Sequence, residues 1–208
     1  MLRFPCSSIL TLMRKYKVFI TESVCPQDFY KNNCEGQVVE AIAGVLHWES
    51  EYKIAMNRKT LCSAIKAASE GEYDIFHLSC HGDEDGIQLT DKTELSWDDL
   101  ADCFQDLENT PEALVLSSCL GGDAGVARAF RSRKLRPSVI FGAEAKDPHE
   151  ITFPGACISW PILYTTLART GLTPDAFKDA VAKMNRITKH KFVYRRWHEG
   201  RYRRYPSR

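Results

Sequence analysis

Two stretches of the chain hold residue types able to do covalent or metal chemistry. In "DIFHLSCHGDEDG" (74–86), His77, Cys80 and His81 fall within five positions. In "EALVLSSCLGGDAG" (112–125), a lone cysteine, Cys119, closes an apolar run. On a helix, His77, Cys80 and His81 would share a face and offer a metal site. The segment "YDIFHLSC" reads instead as a strand, and strand side chains alternate. His77, Ser79 and His81 then point one way and Cys80 the other, and no second ligand pair with metal spacing follows. No metal is expected from these three. His77 reads as a hydrogen-bonded core residue and Cys80 as a buried thiol on the opposite face. His81, followed by Gly82, is the candidate reactive group.

Cys119 supplies the other half. It precedes a helical segment, where unpaired amides favour a thiolate. A nearby imidazole can hand a proton to a leaving amine. Gly121 and Gly122 are expected to turn the backbone tightly and expose amides. Gly82 lets a backbone amide approach a substrate carbonyl, so the amides of Gly82 and Cys119 are candidate oxyanion donors.

The elements that must position this pair alternate. Strands are expected at 16–23, 51–57, 73–80, 112–119, 136–145 and, near the end, in "KFVYRRW". Helical periodicity fills "EGQVVEAIAGVLHWES", "TLCSAIKAASEG", "SWDDLADCFQDL", "DAGVARAFRSRK", "ITFPGACISWPILYTTLARTG" and "TPDAFKDAVAKMNRIT". Thr60, Ser96 and Thr173 are the expected caps, and "GIQLTDKTELSW" reads as a hairpin turning at Asp91-Lys92. Alternating strands and helices imply an α/β fold, a sandwich around a mostly parallel sheet of six strands. Function in such sheets gathers at the carboxyl ends of the strands, where His81 and Cys119 both fall.

The totals fit one domain. The chain has 208 residues, 44% hydrophobic and 26% charged, and its apolar runs are strand-length, short of a membrane span. Residues 1–15 read as an N-terminal helix or tail and not as a signal peptide. Eight cysteines occur without a CxxC pair, which fits free thiols in a reducing cytoplasm. Net charge is +1, yet residues 186–208 carry +8, leaving −7 elsewhere. That basic segment, 187–208, interleaves Arg with Tyr and Trp. Nucleic-acid contact is one reading of it; arginines paired with the acidic body is the favoured one.

"DIFHLSCHG", then "ALVLSSCLGGDAGVARAF", then "SVIFGAEA", resembles the caspase-like cysteine peptidases, most closely the CHAT type. The resemblance runs from about Tyr16 to Arg186. It implies a three-layer caspase-like sandwich, His81 as the catalytic histidine, Cys119 as nucleophile, a protein or peptide substrate and no cofactor. It implies the first strand beside the histidine strand and the fifth beside the cysteine strand. The specificity pocket would then be lined by 21–23, 116–118 and 142–145. Those segments offer Glu22, Ser117 and Glu144 and no arginine, so acidic specificity is not expected. A basic residue before the cut is, held by Glu22 or Glu144, with Asp83, Glu84, Asp85 and Asp123 as a negative rim. The resemblance also implies a prokaryotic defence or cell-death setting. Because only a short segment precedes the first strand, a separate sensor acting in trans is expected. The basic loop 131–138 is a candidate for self-cleavage. The alternative is an inactive caspase-like adaptor that binds through its basic tail; a phosphatase would need an earlier arginine than Arg128.

Overall fold

The computed structural model describes residues 14–144, 151–188 and 190–207. The expectations for 1–13, including Cys6, and for residue 145 lie outside them. In chain order the elements are β1 (Lys17–Ser23), α1 (Pro26–Tyr30), α2 (Glu35–Val45), β2 (Glu49–Ile54), α3 (Arg58–Glu70) and β3 (Ile75–Gly82). A small hairpin, β4 (Gly86–Gln88) and β5 (Glu94–Ser96), leads into α4 (Trp97–Asp102). There follow β6 (Ala113–Ser117), α5 (Ala124–Arg131), β7 (Val139–Ala143), α6 (Phe153–Thr170), α7 (Pro174–Thr188), β8 (Phe192–His198) and β9 (Arg201–Tyr205).

The sheet runs β2-β1-β3-β6-β7-β8-β9. The first five strands of that order are parallel, and β8 and β9 close it antiparallel. The histidine strand β3 lies beside β1, and β7 beside the cysteine strand β6, as expected. The expected count of six is corrected to nine among the described residues. The hairpin β4–β5 pairs onto the end of β3, and the terminal basic segment folds back as β9.

Strand alternation sorts the core into two layers. Val18, Ile20, Ile75, Val115 and Phe141 face Trp160, Tyr164 and Phe177 of α6 and α7. Phe19, Phe76, Leu78, Leu114 and Ile140 face Leu61, Leu100 and Phe130 of α3, α4 and α5. Each such side chain taken fully from water contributes about 2 kcal/mol, so the strands are held in register from both sides. Register is what the site depends on.

Local details confirm some expected caps and move others. Ser96 caps α4 in a box with Asp99, and Thr173 Oγ1 accepts the Ala176 amide of α7. Asn57, not Thr60, caps α3; Thr60 is its capping-box partner, donating back to Asn57. The turn of the β4–β5 hairpin does fall at Asp91-Lys92, with Lys92 at φ 70°. The expectation of free thiols throughout is corrected as well. Cys62 of α3 and Cys103, just past α4, form a disulfide with their Cα atoms 5.3 Å apart. The two helices pack in one layer, a proximity hidden by 41 residues of sequence separation.

Candidate active site

Glu22 of β1, Ser79 of β3 and Ser117 of β6 are register partners and form one row across the sheet. They lie one alternation step beyond Ile20, His77 and Val115, so they share the face covered by α2 and α6. Two residues beyond Ser79 comes His81; two beyond Ser117 comes Cys119. Neighbouring strands sit about 4.8 Å apart, so equal offsets past one paired row bring the two groups to the same rim. His81, Cys119, Glu22 and Ser117 line one cavity of about 400 Å³ together with Asp28 and Glu35.

Gly82 is required by this convergence. A Cβ there would lie 2.9 Å from the Cys119 carbonyl oxygen and 3.1 Å from Ser118 Cβ. The missing side chain lets the end of β3 run against the loop that carries the nucleophile.

Beneath the rim sits a buried polar hub centred on Glu35, the first residue of α2. Its Oε1 accepts Trp160 Nε1 at 2.6 Å and faces His77 Nε2 at 3.1 Å, while Oε2 accepts the Ser117 hydroxyl at 2.9 Å. His77 Nδ1 lies 2.7 Å from the Tyr164 hydroxyl. A carboxylate can only accept, which suits the tautomer with its hydrogen on Nε2 and Tyr164 donating to Nδ1. Burial holds the Tyr164 phenol well above its ordinary range, so that hydroxyl keeps its proton. His77 is thus core support, as its strand position predicts.

Glu22 accepts the amides of Glu35 (2.6 Å) and Gly36 (3.1 Å) and the hydroxyl of Tyr52 (2.6 Å). Gly36 makes room for that hydroxyl, since a Cβ would lie 2.3 Å from the Tyr52 ring. Burial pushes the Glu22 carboxyl above its ordinary pKa more than these bonds lower it. Among the described residues, no Lys or Arg pairs with Glu22 or Glu35.

His81 is more open, with its side chain 58% exposed. Its Nε2 lies 3.3 Å from Asp28 Oδ2, and the Cys25 thiol donates to that same oxygen at 2.9 Å. The Cys25 bond, with Asn33 and His81, holds Asp28 below the usual carboxylate range against a smaller opposing effect of burial.

Other expected site residues go elsewhere. Glu144, just past β7, is buried against Arg195, Arg204 and Lys191 of the terminal segment. Burial acts to raise its pKa, and the three cations outweigh it. Asp123 caps α5 by accepting the Gly125 amide at 3.0 Å, which separates Cys119 from the helix end by a full loop. The amides of Gly121 and Gly122 are not exposed donors: they bond to Ser118 and Ala143 carbonyls. The positive φ of that turn falls on Leu120, at 59°. Gly122 serves packing, since a Cβ would come within 2.6 Å of the Gly142 carbonyl. Asp83 Oδ1 accepts the amides of Asp85 and Gly86 and so fixes the β3–β4 turn. Cys80 lies on the face opposite His77, as expected, but is partly exposed at the cavity; burial raises its thiol pKa strongly. In the loop after α5, Arg133 pairs with Asp98 and Asp102, and Arg136 stacks on Trp197 with its guanidinium carbon 3.8 Å from the ring centre.

Sequence reasoning missed Glu35, Asp28 and Cys25. Glu35 opens a segment read for its helical periodicity alone. Asp28 and Cys25 sit on a one-turn helix with no periodic pattern.

No protein-family model matches the chain, and no curated protein does. Among solved structures, the fold is similar to a secreted C11 cysteine protease from Bacteroides thetaiotaomicron, "iotapain", with TM-score 0.55 and 10% identity. The match covers 88% of this chain and 66% of that one. The chain therefore has a caspase-like fold and spans somewhat under two thirds of that protease's length.

Proposed function

We propose that this chain is a cysteine endopeptidase that cuts after a basic residue. The observation that carries the reading is that His81 and Cys119, at equal offsets past one sheet row, open onto a cavity holding Glu22 and Glu35. The Cys119 thiolate attacks the scissile carbonyl, forming a C–S bond and an oxyanion that accepts hydrogen bonds from the amides of Gly82 and Cys119. The C–N bond then breaks and His81 gives its proton to the leaving amine. Water, deprotonated by His81, hydrolyses the thioester and frees the thiol. Asp28 acts as a positioning residue, holding the imidazole by Nε2.

The specificity follows from charge. Glu22 is buried and hydrogen-bonded, no Lys or Arg among the described residues pairs with it, and burial disfavours its ionised form. A Lys or Arg side chain entering the cavity supplies the missing counter-ion. Glu144 does not take part, because the chain's own Arg195 and Arg204 already hold it. The finer likeness to the CHAT type, and with it a prokaryotic defence setting, rests on motif order.

The test is cleavage of a peptide library read by mass. Lys or Arg before the cut is expected, and Cys119→Ala is expected to lower kcat/KM by about 10⁴-fold or more. Cleavage that survives Cys119→Ala would overturn the mechanism; preference for a large apolar residue would overturn the specificity.

A further inference from the structure

The peptidase reading gives Cys25 nothing to do beyond its bond to Asp28, yet its sulfur meets the site. Cys25 Sγ, Asp28 Oδ2 and His81 Nε2 all lie within 4.8 Å of one another, with the carboxylate oxygen 2.9 Å from the sulfur and 3.3 Å from the nitrogen. We propose that these three side chains form a binding site for a zinc-class divalent cation, and that filling it withdraws His81 from peptide cleavage. The second clause rests on the peptidase reading; the first does not.

The ligand types choose the ion. Thiolate, imidazole and a single carboxylate suit zinc and its cobalt or cadmium surrogates, whereas magnesium and calcium need a shell of oxygens. Tetrahedral zinc with bonds of about 2.0–2.3 Å spaces its ligands about 3.3–3.8 Å apart. The nitrogen–oxygen edge, at 3.3 Å, already has that spacing, and widening the 2.9 Å sulfur–oxygen edge by about half an ångström brings it there too.

Scaffold and access also fit. Cys25 is the N-cap of α1 and Asp28 lies in its first turn, so one helical turn fixes their spacing. His81 comes from the sheet's central region, on β3. Asn33 donates its backbone amide to the Asp28 carbonyl at 2.9 Å and its side-chain amide to Asp28 Oδ1 at 3.4 Å, steadying the ligating carboxylate from behind. The side chains of His81 and Asp28 are 58% and 33% exposed, so an ion can enter and a fourth position stays open to water. Binding displaces the Cys25 thiol proton to solvent, so affinity rises with pH. The bond lost to His81 is the one the mechanism needs: a metal on Nε2 keeps the ring from carrying the second proton that it must give to the leaving amine.

The probe is cobalt(II), whose thiolate charge-transfer absorption reports sulfur ligation. The titration uses the full chain carrying Cys119→Ala, which removes the nucleophile as a ligand. One cobalt per chain with a thiolate band is expected. Adding Cys25→Ser, which retains a donor to Asp28, is expected to abolish the band and weaken binding about 100-fold or more. His81→Ala, an exposed change, provides a second variant with the same expected loss. In the chain with Cys119 intact, micromolar zinc is expected to stop cleavage, a chelator to restore it, and Cys25→Ser to raise the inhibiting zinc concentration at least tenfold, each rate taken relative to the same chain without zinc. Absence of cobalt binding, or equal binding after Cys25→Ser, would overturn the site. Cobalt binding through Cys25 in a chain that cleaves no peptide would uphold the site and overturn the peptidase reading.

Discussion

Glu22 and Glu144 hold matching places in the sequence, at the ends of the first and fifth expected strands, and meet different partners in the molecule. Both are almost fully buried, at 2% and 8% exposure. Glu144 is met by Arg195 and Arg204, which the β8–β9 hairpin carries onto the edge of β7. Glu22 is met by two amides and a phenol, all neutral. The difference separates a structural carboxylate from one equipped to receive a cation. A buried charge that its own chain has neutralised is part of the fold, and one held only by dipoles still lacks a counter-charge.

The sharpest way to break the comparison is to neutralise each glutamate. Glu144→Gln leaves two arginines facing a neutral amide and is expected to lower stability by about 3 kcal/mol at neutral pH, read by chemical denaturation. Glu22→Gln keeps one acceptor oxygen and turns its NH2 on the Glu35 or the Gly36 amide, and is expected to cost less, about 2 kcal/mol, the penalty of one buried donor left unpaired. Cleavage selectivity is expected to divide the other way. Glu22→Gln reduces the preference for Lys or Arg over Leu about 100-fold, equivalent to about 2.7 kcal/mol, and Glu144→Gln leaves it unchanged in the molecules that remain folded. Equal losses of selectivity would erase the distinction.

The pH dependence carries opposite signs. Glu144 is held below the ordinary glutamate value of 4.5. Its stabilisation is present above that value and is lost as pH falls through the lower folded pKa. Glu22 is raised above 4.5. Its contribution is complete below 4.5 and is lost as pH rises toward the folded pKa. The deficit of Glu144→Gln is therefore expected to grow as pH rises toward 4.5, and Glu22→Gln to gain on the wild type as pH rises above 4.5. Denaturation midpoints on either side of that value check both. The smallest expected effect belongs to Asp123→Ala, which removes a cap from α5 and costs about 1 kcal/mol with selectivity intact.

The strand-end places of His81 and Cys119 and the core role of His77 were legible because each depends on local pattern, whereas the neighbours β1–β3 and β6–β7 were expected only through the resemblance to caspase-like peptidases. An apolar run of strand length, a small residue after it and the period of two suffice to place a side chain at a strand end and on a face. The hub around Glu35 was not legible. Its partners His77, Ser117 and Trp160 lie 42, 82 and 125 residues away, and nothing in a helix's first acid records such partners. Gly121 and Gly122 misled for a related reason. A glycine pair looks alike in sequence whether it opens a backbone to a ligand or closes it on a neighbouring strand.

By itself the sequence determined the alternation of strands and helices, the strand-end positions of one histidine and one cysteine, and the excess of positive charge near residue 208. Those are properties of short windows, set by periodicity and composition. Only the tertiary structure decided which carboxylate is neutralised and which is not, that Cys25 and Asp28 meet His81, and that Cys62 meets Cys103. Each is a contact between windows, fixed by strand register and layer packing, and a charge acquires its chemistry from what packing brings against it.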